Sequence, residues 1–86
     1  MPEISRFYGI IVRMFYNDHL PPHFHAIYGD DEALIDIRTL DYVDGKLPKR
    51  ARTLIIEWAI EHREELLINW DKARKPEGLL PIEPLK

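Results

Sequence analysis

Apolar side chains occupy both parities of the stretch from Ile4 to Tyr16. Tyr8, Ile10, Val12 and Met14 take one, and Phe7, Ile11 and Phe15 the other. Side chains of a strand alternate between faces, so this pattern predicts one long strand covered on both sides, inside a sheet. Asn17 to Pro22 ends it as a loop, because neither Pro21 nor Pro22 can donate a ladder hydrogen bond. His23 to Tyr28 alternates as a second strand, with Phe24, Ala26 and Tyr28 on one face and His23, His25 and Ile27 on the other. Gly29 to Glu32 is a polar hairpin connection, and Ala33 to Arg38 returns with Ala33, Ile35 and Ile37 inward. Thr39 to Val43 extends that strand or forms a short fourth one. Asp44-Gly45 signals a two-residue turn with Lys46-Leu47 coming back from it.

Beyond Pro48 the period lengthens from two to that of a helix. Pro48 suits a first helical turn, and Pro76 and Gly78 are stops, so one helix is predicted from about Lys49 to Arg74. At about 100° per residue, Ala51, Ile55, Trp58, Ala59, His62, Leu66, Trp70 and Ala73 form a stripe to lie across the sheet. Ile56, Ile60 and Leu67 make a second apolar line beside it, while Glu57, Glu61, Glu64 and Asp71 face outward. Two apolar lines exceed what one sheet face needs. Either a protein partner or a homodimer covers Ile56, Ile60 and Leu67, or the tail Leu79 to Leu85 folds back over them. His62 and Asn69 are polar side chains on the face expected to be buried, so each needs a partner: sheet backbone or Tyr8, with Glu65 placed to fix the tautomer of His62. The expected fold is α+β: a small, mostly antiparallel sheet of three or four strands packed against one long C-terminal helix, with residues 1–86 forming a single domain.

Composition narrows the class. A chain of 86 residues buries only about 60–65% of its unfolded surface, so the core is modest. The absence of cysteine excludes disulfides and thiolate metal sites and fits a reducing compartment. The start lacks the basic-then-apolar order of a signal peptide, and the run from Phe7 to Val12 is far too short to span a bilayer. A cytoplasmic location and no membrane contact are therefore expected. A net charge of −3 argues against a surface that binds polyanions everywhere.

Chemistry concentrates between Asp18 and Gly29, which holds three of the four histidines. Imidazoles titrate near neutral pH and bind metals. His23 and His25, two apart on a strand, point the same way and make a workable pair of ligands for a divalent metal. His19 on the loop can join as a third, with Asp18 or Asp36 as an oxygen donor. No glutamate follows at the spacing of cupin-type sites, zinc-finger spacing is absent, and the helix lacks the tyrosine that HUH endonucleases require. Three readings stay open: a metal centre, metal-free acid–base work by His19, His23, His25 and His62, or a brace in which the rings bond loop carbonyls. Lys46, Lys49, Arg50 and Arg52 cluster at the helix start, where free N–H groups favour anions such as phosphate or an acidic partner. The alternative is a solvated turn with Arg50 pairing Asp44 or Glu57. No aromatic residue interleaves this cluster as single-strand nucleic-acid binders require.

Three runs carry a resemblance: Asp18-His19-x-Pro21-Pro22-His23-Phe24-His25-Ala26-x-Tyr28-Gly29, Gly45-x-Leu47-Pro48-x-Arg50, and Trp58-x3-His62-x2-Glu65-Leu66-x2-Asn69-Trp70. Together they resemble the bacterial family known as domain of unknown function 4160, over nearly the whole chain. The resemblance implies an uncharacterised protein often encoded beside another small one, an arrangement suggestive of toxin–antitoxin-like pairs or regulators. Its pattern includes His19, His23, His25, His62 and Trp70. The leading expectation is an interaction or regulatory module, working through Asp18 to His25 and the basic helix start. The alternatives are a metal-dependent hydrolase or nuclease using His19, His23 and His25, and an RNA-binding or RNA-cleaving toxin in which Lys49, Arg50 and Arg52 hold phosphate.

Overall fold

The computed structural model describes residues 3–75 and 77–86. Five strands, β1 (Glu3–Phe7), β2 (Ile10–Arg13), β3 (His23–Tyr28), β4 (Asp31–Asp36) and β5 (Tyr42–Gly45), form an antiparallel sheet in chain order. Two helices follow, α1 (Lys49–Glu61) and α2 (Arg63–Ala73). The class is α+β as expected, but the sheet has five strands rather than three or four, and the single long helix is two.

The first difference lies in the long first strand, which is a hairpin. Tyr8 and Gly9 both take positive φ, 49° and 81°, as in the two-residue turns whose twist suits antiparallel neighbours. Phe7 pairs with Ile10 directly across the turn, so both enter the core although one is odd and the other even. The change of parity marked a chain reversal, not burial on two faces. Ile10, Val12 and Met14 are fully buried, whereas Ile11, Arg13 and Phe15 lie half-buried on the opposite face.

The Asp44-Gly45 signal is also real but closes β5 instead of turning into another strand. Gly45 sits at φ 66° against β4, where a Cβ would run into the Glu32 carbonyl oxygen. Pro48 opens α1 only three residues later, leaving no length for a returning strand.

The helical stripe is buried as predicted: Ala51, Ile55, Trp58 and Ala59 from α1, Leu66, Trp70 and Ala73 from α2. Trp58 packs on Phe7 at 5.3 Å and Phe24 at 5.9 Å between ring centroids. The break falls at His62, whose φ −121° and ψ 22° are not helical, and whose N–H is shared between the Trp58 and Ala59 carbonyls at 3.2 Å each. One non-helical residue barely disturbs the spacing of the stripe, so periodicity carries no sign of it. The Met1-Pro2 start and the Pro76 stop lie outside the described residues.

The tail folds back. The Ile82 N–H bonds the Ile4 carbonyl at 2.8 Å, and the Ile82 side chain enters the core. Asn69 meets the Leu80 backbone with both halves of its amide, donating through Nδ2 and accepting at Oδ1, each at 2.8 Å. Trp58 Nε1 donates to the Glu83 carbonyl at 2.8 Å. Ile56 and Leu67 pack partly against the core, while Ile60 is exposed. No helix of the described residues is long and apolar enough to cross a membrane.

Candidate metal centre

The loop from Asn17 to Pro22 returns over the first residues of β3. It is pinned at both ends: the Asn17 N–H bonds the Ala73 carbonyl at the end of α2 at 3.0 Å, and the Pro22 carbonyl accepts from the Ile37 N–H at 2.9 Å. That path brings the Asp18 carboxylate onto the outer-facing side chains of β3. Asp18 Oδ2 lies 3.0 Å from His23 Nε2 and 3.1 Å from His25 Nε2. Asp18 Oδ1 accepts the His19 N–H at 3.0 Å. His23 is 2% and His25 9% exposed, although both sit on the sheet face away from the main core. The His23 ring packs on Trp70 of α2 at 5.4 Å, and Phe15 meets the His25 ring edge-on at 4.4 Å.

The far nitrogens of both rings are also engaged. His23 Nδ1 lies 2.7 Å from the Pro21 carbonyl, and His25 Nδ1 lies 3.0 Å from Glu32 Oε2. All of these oxygens only accept, so a neutral ring donates to one of its two partners and only an imidazolium donates to both. In a neutral ring that donates through Nδ1 the lone pair is on Nε2, and in that tautomer both lone pairs converge on Asp18 Oδ2. Three acceptors facing one point repel each other unless something positive lies among them. A proton on Nε2 or a cation between the three atoms supplies that positive charge. One possible ligand atom each from Asp18, His23 and His25 falls within 4.8 Å of the other two. Burial pushes the Asp18 carboxyl up, but the His25 ring, the His19 N–H and the His23 ring together hold it below the ordinary carboxylate range.

The remaining candidates are placed as follows. The His19 side chain is 94% exposed, with Nε2 3.9 Å from Asp18 Oδ1, at the rim of the cluster rather than in it. Asp36 is occupied elsewhere, its Oδ1 accepting the Arg38 and Thr39 N–H groups at 2.7 and 3.1 Å. His62 stacks on Trp58 at 5.5 Å and gives its Nδ1 proton to Glu65 Oε1 at 2.6 Å, the partner its spacing suggested. Lys49, Arg50 and Arg52 are exposed at the start of α1, which has no side-chain cap and no acidic residue in its first turn; Arg52 lies over the Tyr42 ring at 5.5 Å. The sequence pattern places Glu32 in the connection, whereas the structure sets it in β4. With only Gly29-Asp30 between the strands, Tyr28 pairs with Asp31 and Ile27 with Glu32. That register places Glu32 diagonally opposite His25 on the same face. The signal was available in the length of the turn.

Fold and site together define a small α+β domain that presents two histidines and a carboxylate on the outer face of a five-stranded meander. A family model, Domain of unknown function (DUF4160), matches residues 9–71, and the chain belongs to that family. No curated protein and no solved structure matches the chain.

Proposed function

We propose that this protein is a metal-binding module whose divalent cation is held by Asp18 Oδ2, His23 Nε2 and His25 Nε2. The observation that carries this reading is that a fixed acceptor lies beside each Nδ1 while both Nε2 atoms are turned on the same carboxylate oxygen. Metal-bound histidines are oriented in this way, the second nitrogen donating to a carbonyl or carboxylate that sets the tautomer. The spacings of 3.0 and 3.1 Å are also close to the roughly 3.0–3.4 Å ligand separations that metal bonds of about 2.0–2.1 Å produce. Nitrogen and oxygen donors in this number suit zinc, manganese, nickel or ferrous iron and leave coordination positions open.

A cation here ties the loop carrying Asp18 to β3, and the loop is bonded in turn to the end of α2. Loading therefore rigidifies one surface made of loop, sheet and helix, which suits an interaction or regulatory module. Hydrolytic chemistry by a water in an open position is the second reading, favoured by a ligand set of three rather than four.

Calorimetric titration of chelator-treated protein with zinc, manganese and nickel tests the proposal. One ion per chain is expected, with up to two protons released per ion and a raised melting temperature. Asp18→Asn and His25→Gln should each weaken binding at least about tenfold. A wild-type protein that takes up none of these ions refutes it.

A further inference from the structure

We propose that His19 is the fourth ligand of this metal centre: its imidazole turns onto the cation and closes the coordination sphere, leaving no position for water. The inference rests on the metal reading above and decides between its two forms, a closed binding module and an open hydrolytic site.

Three donors are fixed before any ion arrives, and His19 stands on the open side of the set. The His23 ring is backed by Trp70 and the His25 ring by Phe15. Asp18 is the most exposed of the three, at 17% of its side chain. His19 follows it directly, with its N–H bonded to Asp18 Oδ1 at 3.0 Å and its Nε2 3.9 Å from the same oxygen. The chain is held on both sides of His19, by the Asp18 carboxylate at the two imidazoles and by the Pro21 carbonyl at His23 Nδ1. What separates its ring from the cation is therefore a turn about the side-chain torsions. That turn disrupts no packing, because the ring is almost fully exposed, and among the described residues it makes no hydrogen bond.

Charge selects a neutral donor for the fourth position. The carboxylates of Asp18 and Glu32, the second 3.0 Å from His25 Nδ1, together balance a divalent cation. An added anion would leave the centre negative among half-buried groups, where an unbalanced charge is costly. Imidazole and water both keep the balance. The imidazole has the advantage of attachment, since it is joined to a residue that already ligates and so acts at high effective concentration. Three nitrogens and one oxygen complete the tetrahedral set that suits zinc, and a closed four-coordinate shell belongs to structural rather than catalytic zinc.

Cobalt(II) in place of zinc reports the geometry, because a tetrahedral cobalt ion absorbs far more strongly in the visible than a five- or six-coordinate one. Wild type loaded with one cobalt should show the tetrahedral band, and X-ray absorption of the zinc form should find three imidazoles. His19→Ala should still take up one ion per chain, but bind zinc at least about tenfold more weakly and lose the tetrahedral band. Its metal-free melting temperature should match that of wild type. Free imidazole added to the cobalt-loaded variant should restore the band, which a merely structural role for His19 would not produce. A five- or six-coordinate spectrum in wild type, or unchanged zinc affinity and spectrum in His19→Ala, overturns the fourth ligand and leaves the three-residue site standing. Absence of metal uptake by the wild type overturns both.

Discussion

Asp18 carries three hydrogen-bonding duties on two oxygens only because it follows Asn17, whose φ of 55° swings the loop back over β3. Its carboxyl, held below the ordinary carboxylate range, stabilises the fold while ionised. A depressed folded value means this contribution is complete above the unfolded pKa and is lost as pH falls through the folded one. In the metal-free protein, Asp18→Asn should therefore cost about 1–3 kcal/mol near pH 6. The gap between variant and wild type should close below about pH 4, as thermal melts across that range would show. A gap that persists or widens in acid contradicts the assignment. At this scale the histidine pair was legible, since a spacing of two on a strand puts both rings on one face. Which carboxylate joins them was not, because Asp18 is near the pair along the chain while Asp36 lies opposite His23 on the returning strand. The turn after β4 consumes Asp36 through the Arg38 and Thr39 N–H groups, and only the folded loop reveals it.

At the level of elements, the sheet is set by its turns. Tyr8-Gly9 and Gly29-Asp30 each join adjacent strands through two residues, and every pairing is antiparallel. Gly45 is the most constrained of the glycines, combining positive φ with backbone contact on the neighbouring strand. Gly45→Ala should destabilise by about 2 kcal/mol or more, on the order of 10 °C in Tm for a domain of this size. Equal melting temperatures for variant and wild type would show that β5 shifts freely to relieve the contact. The hairpin hidden in the predicted first strand carries a general lesson. Apolar residues at both parities mean either two covered faces or one reversal, and Gly9 beside a tyrosine able to adopt positive φ was the clue to reversal.

For the whole molecule, the tail supplies what a small core lacks. Ile82 adds a buried side chain, and Asn69, 1% exposed, binds the Leu80 backbone through both halves of its amide. Asn69→Ala removes both bonds and strands two backbone groups, at a cost of about 2–3 kcal/mol. Limited proteolysis should then cut within residues 77–86 well before the rest of the chain is attacked; an equally protected tail would show that Ile82 and the Trp58–Glu83 bond suffice. The α+β class, the inward face of β4, the helical stripe and the location of the histidine cluster were determined by the sequence alone. They depend on periodicity, on turn residues and on the few side chains able to do chemistry, all of which are local. Tertiary structure alone decided the hairpin at Tyr8-Gly9, the break at His62, the use of Asn69 by the tail and the choice of Asp18 over Asp36. Each of these depends on which distant groups compete for the same hydrogen bond or charge, and that competition exists only once the chain has closed on itself.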